Sequence, residues 1–226
     1  SAIALSGNGS VLAVGSPGNI YYNNPYWGKV FLYKRSNNAW LLDTALYVAD
    51  STVYPNKSAF GTSVALSSDG NTLVIGTSLN GTFVFVHSNG AWSLQQQLII
   101  STGAGSDKVA LSADGNTLTL SESRSTGPNG SFAIFTRTGT QWQRITCCLS
   151  APGRNTAQGY PSTLAISGNG KYIASADYQI SVSSSRIHIY DVQNQTWSSG
   201  FTYGSQVFAG IGVWLSYTGD TLIQLG

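Results

Sequence analysis

Charge is scarce in this sequence. Only 9% of its 226 residues are Asp, Glu, Lys or Arg, against about 25% in an average soluble protein. A formal net charge of +2 offers no basic field to phosphates, so nucleic-acid binding is disfavoured. Adsorption to a membrane through a polybasic stretch is disfavoured for the same reason. No apolar run approaches the roughly 20 residues that a bilayer-spanning helix requires, so membrane insertion is not expected. Glu occurs once, at Glu122, and His twice, at His87 and His188. Met is absent and no charged-then-apolar leader opens the chain, so a mature processed chain, or part of a longer one, is expected. The only cysteines, Cys147 and Cys148, are adjacent. Metal spacing such as Cys-x-x-Cys is missing, which argues against zinc. Buried free thiols, a vicinal disulfide and bonding to another segment or partner all remain open.

Hydrophobic residues make up 42% of the chain, enough for a core and too many for disorder. Ser, Thr, Asn, Gln and Gly must therefore cover the surface. Self-similarity is the dominant signal. One block runs from Ala2 through Leu5-Ser6-Gly7-Asn8-Gly9 to Val14-Gly15, and a second from Ser63 through Leu66-Ser67-Ser68-Asp69-Gly70 to Ile75-Gly76. A third passes through Leu111-Ser112-Ala113-Asp114-Gly115, a fourth through Ile166-Ser167-Gly168-Asn169-Gly170, and a fifth through Leu215-Ser216-Tyr217-Thr218-Gly219. Each block reads as strand, tight turn, strand, with Gly supplying the positive φ that such a turn needs.

A third apolar run follows each of the first four blocks, at Gly28–Tyr33, Gly81–Val86, Ser131–Phe135 and Arg186–Tyr190. A polar turn and a Trp come next, at Trp40, Trp92, Trp142 and Trp197, with spacings of 52, 50 and 55. After each Trp a fourth strand begins. Four antiparallel strands per repeat of about 50 residues is the pattern of a β-propeller blade. Gly turns, period-2 alternation and β-branched strands exclude a helical repeat. A β-sandwich would not regenerate the four-strand unit with Trp at fixed phase. The expected fold is all-β: one propeller domain over 1–226, with blades near 1–50, 51–100, 101–150 and 151–205 and a half-blade at 206–226. That is about four and a half blades of a larger ring.

Phe60-Gly61-Thr62-Ser63-Val64-Ala65-Leu66, followed by Asp69-Gly70, Leu73–Gly76 and Gly81-Thr-Phe-Val-Phe85, resembles the FG-GAP or integrin-α-like propeller repeat. Gly15-Ser16-Pro17 is similar to the family's Gly-Ala-Pro. In blade four, Tyr160-Pro161 stands where Phe-Gly would be. The resemblance implies a propeller whose members include adhesion proteins, lectin-like proteins and some enzymes, and so fixes fold better than function. Calcium loops of that family carry several Asp or Asn before a Gly. Here Asp69 and Asp114 are lone hairpin-turn acids, so no calcium, other metal or cofactor is expected.

No catalytic residues are assigned. Asp43, Asp50, Asp107, Asp177, Asp191 and Asp220 share no motif, whereas hydrolysis by paired carboxylates needs two converging acids. No nucleophile elbow or phosphate loop occurs. His87 and His188 read as packed or strand-surface histidines. Tyr21, Tyr22, Tyr26 and Trp27 crowd one polar loop of blade one, and Tyr54 is expected on the same rim. They are candidate ligand-binding residues for a glycan or a partner protein, or a cap folded over the core. Asn8, Asn56, Asn80, Asn129 and Asn194 are candidate glycosylation acceptors in Asn-x-Ser/Thr. With the uncharged polar surface, they point to an extracellular or cell-surface glycoprotein. The leading expectation is a non-enzymatic structural or protein-interaction module, such as a surface, matrix or filament subunit. An adhesin or lectin using the aromatic rim is the alternative, and a propeller hydrolase or lyase the next. Partners are expected to be proteins or glycans. The half-blade would leave an apolar edge unpaired, which promotes self-association, unless further chain covers it.

Overall fold

The computed structural model describes residues 2–18, 28–47, 59–78, 81–99, 108–121, 132–149, 163–179, 184–198, 201–203 and 212–225. Among these every regular element is a strand. Sheet one is β1 (Ala2–Leu5), β2 (Val11–Ser16), β3 (Lys29–Ser36) and β4 (Ala39–Leu46), paired in that order. Sheet two is β5 (Ser63–Leu66), β6 (Thr72–Gly76), β7 (Thr82–Ser88) and β8 (Ala91–Leu98), and sheet three is β9 (Val109–Leu111), β10 (Thr117–Ser121), β11 (Phe132–Thr138) and β12 (Gln141–Leu149). Sheet four holds β13 (Thr163–Ile166), β14 (Tyr172–Gln179) and β15 (Ser184–Asp191), whose outer edge pairs with two short strands, β16 (Thr196–Trp197) and β17 (Phe201–Tyr203). The half-blade is the hairpin β18 (Gly212–Leu215) with β19 (Leu222–Leu225). All pairs are antiparallel. This is the propeller-type architecture of four-stranded blades that the repeat predicts.

The hairpin between the first two strands explains the repeat. In blade two, Ser67 Oγ donates to Asp69 Oδ1 at 2.6 Å and accepts from the Thr72 N–H at 2.9 Å. Asp69 Oδ1 also accepts from the Asn71 N–H at 2.9 Å. Blades three, one and four repeat the Ser-to-Asx bond at 2.5, 2.7 and 2.7 Å through Asp114, Asn8 and Asn169. The side chains thus supply the turn with its own acceptors, the usual reason Asx and Ser occupy such positions. In blade five the acid moves by two places, and Ser216 Oγ donates to Asp220 Oδ1. Gly70 closes its turn at φ 75, where an added Cβ would run into Val11 of the preceding sheet.

The sheets pack in chain order, β1 on β5, β5 on β9, β9 on β13 and β13 on β18. A ladder of backbone bonds between hairpins follows the same order. Asn8 N–H donates to Ser68 O, Ser68 N–H to Ala113 O, Ala113 N–H to Gly168 O, and Asn169 N–H to Tyr217 O, at 2.8–2.9 Å. A central cavity of about 340 Å³ is lined by the five innermost strands, including Leu5, Leu66, Leu111, Ile166 and Leu215.

Candidate interaction surface

Residues paired directly across a sheet share a face, so each blade has two definable sides. On blade two, Val64, Ile75 and Phe83 lie in one cross-strand row and Leu66, Leu73 and Phe85 in the next. This side is packed against Val11, Ala13, Val30 and Leu32 of blade one. Phe60, fully buried, is wedged into the same core with its ring edge-on to Phe83 at 5.5 Å. The Phe-Gly pair of the repeat is therefore a structural wedge.

Blade one carries the same two rows on its opposite side, Ile3, Val14 and Phe31, then Leu5, Leu12 and Tyr33. No blade covers them among the described residues. Ile3 is 70% exposed and Leu5 56%, whereas Val64, at the position equivalent to Ile3, is 9% exposed. Leu42, paired with Tyr33, continues the open side to the outer strand and is also exposed. Leaving a Leu or Ile in water forgoes about 1.5–3 kcal/mol each. A contiguous apolar surface of this kind is a candidate interaction site.

The recurring Trp reports the same asymmetry. All four lie at the start of the fourth strand. Three pair with equivalent positions of the third, Arg35–Trp40, His87–Trp92 and Arg137–Trp142, whereas Trp197 pairs with Tyr190, two residues before the equivalent Val192. Equal burial does not follow. Trp142 is 4% exposed and Trp40 is 41% exposed, with Trp92 and Trp197 between. The difference has a physical cause: Trp92, Trp142 and Trp197 pack on the preceding blade, and blade one has none among the described residues.

The junctions differ in chemistry. Between blades two and three, Trp142 Nε1 donates to Gln95 Oε1 at 2.8 Å and the Trp142 N–H to Gln96 Oε1 at 2.9 Å. Arg137 lies over the Trp142 ring at 5.3 Å and donates to Asn116 Oδ1, Thr72 Oγ1 and Gln95 Oε1. Burial lowers its pKa, while Asp114 and Asp69 oppose that shift. Between blades one and two, Asp43 occupies the β-bulge position that Gln95 holds in blade two. It is ion-paired to Lys34 at 3.0 Å, and Lys34 Nζ meets His87 Nε2 at 3.3 Å. A groove of about 230 Å³ remains there, lined by Lys34, Arg35, Asp69, His87 and Trp92. Trp92 Nε1 is buried without a hydrogen-bond partner among the described residues.

Burial raises the Asp69 and Asp114 carboxyls, but bonds from Ser67 and Asn71, and from Ser112 and Asn116, outweigh it and hold both below the usual 3.8. They serve the hairpins, as the sequence implies. Among the described residues, no cluster of three metal-ligating side chains occurs and no ionisable side chain lines the central cavity. His188 is 5% exposed, with its ring edge-on to Trp197 at 6.0 Å. No described helix is long and apolar enough to cross a membrane. Tyr21, Tyr22, Tyr26, Trp27 and Tyr54 lie outside the described residues, as do Asn56, Asn80 and Asn129. Only backbone is described at Cys147 and Cys148. Asn8 and Asn194 are exposed. Asn8 Nδ2 donates across the junction to Asp69 O at 3.1 Å, and Asn194 Nδ2 binds Asp191 of its own turn.

No family model matches the sequence, and no curated protein matches it. Among solved structures, the chain is similar to Kuenenia stuttgartiensis hydrazine synthase, with a TM-score of 0.65 and 13% identity over 98% of this chain and 53% of that one. It is equally similar to a chain of the mitotic checkpoint complex, with a TM-score of 0.65 and 14% identity over 100% of this chain and 56% of that one. The chain thus spans about half the length of the solved chains it matches. Both neighbours are propeller-type folds, and identities this low speak to fold alone. The fold of this chain is all-β and propeller-type, built of four-stranded antiparallel blades.

Proposed function

We propose that this chain is a non-enzymatic protein-interaction module of the extracellular space, a glycosylated surface, matrix or filament subunit. One observation carries the reading: the apolar side of blade one, which no blade covers among the described residues, with Ile3, Leu5, Trp40 and Leu42 exposed. A buried-type face left open is the signature of a surface meant for another protein. The low charge and the polar, sequon-bearing turns support an extracellular setting. The mitotic checkpoint neighbour belongs to a protein complex, which supports the reading by analogy of fold. The test is the mass, by light scattering, of the protein isolated from its source under mild conditions. An assembly larger than one chain, dissociated by Trp40→Ser with Leu42→Ser, is the expected result. A monomer of unchanged mass in both forms would refute the reading.

A further inference from the structure

The sides of the blades that meet at each junction are not alike. The earlier blade of each pair contributes small residues from its two inner strands: Ala4 with Ala13, Ala65 with Val74, Ala110 with Thr119, and Ala165 with Ala174. The later blade contributes large ones, such as Val64, Leu73, Ile75 and Phe83 in blade two. Blade one is open on its large-residue side. What fits there is a small-residue side of another blade.

Blade five does not offer one. At the positions equivalent to Ala4 and Ala13 it carries the cross-strand pair Trp214 and Ile223, 50% and 56% exposed. A second copy docking through blade five would place an indole where each established junction places a methyl group. The hairpin ladder sets a further condition. Each hairpin carbonyl at this position accepts from the N–H of the hairpin before it, as Ser68 O does from Asn8 N–H. Gly7, the equivalent residue of blade one, receives no such bond among the described residues. The occupant must bring its own donor at hairpin height.

We infer that the open side of blade one is a blade-to-blade interface, and that its occupant is a further propeller blade of the same repeat lying outside residues 1–226. That blade carries Ala, Val or Thr at the two small positions and a Ser-x-x-Gly hairpin whose backbone N–H reaches the Gly7 carbonyl. The inference rests on the proposed interaction role and names the partner.

Two measurements on the protein made in its own cells test it. The photo-reactive amino acid benzoylphenylalanine at Ile3, a side chain already 70% exposed, is irradiated and the cross-linked peptide sequenced. A peptide carrying the apolar-Ala-apolar-Ser-x-x-Gly pattern and absent from residues 1–226 is expected. A peptide from residues 1–226 of a second copy, a peptide without the hairpin, or no cross-link overturns the inference. In the unsubstituted protein, hydroxyl-radical oxidation of Trp40 is compared with that of Trp142. The two are 41% and 4% exposed here, so a covered face slows Trp40 about tenfold, to the Trp142 rate. Trp40 still oxidised about ten times faster means a bare face, and defeats both the inference and the interaction role. Protection of Trp40 with a cross-link to a non-blade partner defeats the inference alone.

Discussion

Truncating the recurrent Trp should reveal how unequal its four environments are. Trp142 is 4% exposed, packed with Leu118, Leu120 and Phe135, stacked under Arg137 and hydrogen-bonded to Gln95. Replacing a buried Trp by Ala costs about 3–5 kcal/mol. Leaving Gln95 Oε1 without its indole donor, in a half-buried site, pushes the cost towards the upper end. Trp40 occupies the same repeat position but is 41% exposed. Its truncation removes little packing, and a surface substitution of that kind typically changes stability by within about 0.5 kcal/mol. For a chain of this length 1 kcal/mol moves Tm by about 2–4 °C. Trp142→Ala should therefore lower Tm by about 6–20 °C and Trp40→Ala by no more than about 2 °C. Thermal unfolding followed by far-UV circular dichroism on the 226-residue chain reads both. Equal losses at the two positions would mean that blade phase, and not cover from the preceding blade, decides the role of the Trp. The reasoning about the open face would then fail.

Acid sensitivity should trace to the hairpin acids. Asp69 and Asp114 titrate below 3.8 in the fold, so their contribution is present above the unfolded pKa and is lost as pH falls through the lowered folded values. Asn8 and Asn169 fill the same turn position in blades one and four. Asp69→Asn with Asp114→Asn should therefore keep the turns and flatten the fall of Tm between about pH 4 and pH 2. An unchanged acid slope would rule these two groups out. Gly70→Ala should cost more than Gly90→Ala. Both glycines have positive φ, 75 and 80, but an added Cβ meets Val11 at the first and open space at the second. A left-handed non-Gly residue alone costs about 1–2 kcal/mol, and equal losses in urea unfolding would show that the Val11 contact has no weight. Peptide mass spectrometry of native material should find glycan on Asn194, whose amide is bonded only within its own exposed turn, and not on Asn8, whose amide ties two blades together through Asp69 O. Bare Asn194 would remove the secretory part of the proposed function.

The blades were legible in the sequence because their cause is local. A Ser, an Asx and a Gly within four residues close the hairpin by their own hydrogen bonds, and the strands on either side alternate with period two. The third strands run two or three residues beyond their apolar stretches, to Ser36, Ser88 and Thr138, because strand pairing tolerates polar residues at the rim. The junctions were not legible. Gln95 reaches Trp142 because a β-bulge between the Val84 and Phe85 pairs turns it towards blade three, and nothing in the order of residues announces a bulge. The burial of each Trp depends on a neighbour about 50 positions away. In the same way, the exposure of Ile3 and Leu5 cannot be told from the burial of Val64 and the partial burial of Leu66 by their own flanks, which are nearly identical.

This asymmetry explains how so uncharged a chain can hold a defined order. The ladder runs in one direction, each hairpin donating to the next, and every junction sets small residues against large ones. Reversing a blade would bring large against large and carbonyl against carbonyl. Nearest-neighbour packing of a repeat thereby acquires a direction without ion pairs: among the described residues the only salt bridge is Lys34 with Asp43, its side chains 40% and 25% exposed. Such a pair contributes roughly 0–1 kcal/mol, less than a single buried Leu at about 1.5–3 kcal/mol. Order along the ring is therefore set by shape and by backbone bonds. The same rule fixes what the open side of blade one accepts, since a charged or flat partner surface would satisfy neither the large side chains nor the Gly7 carbonyl.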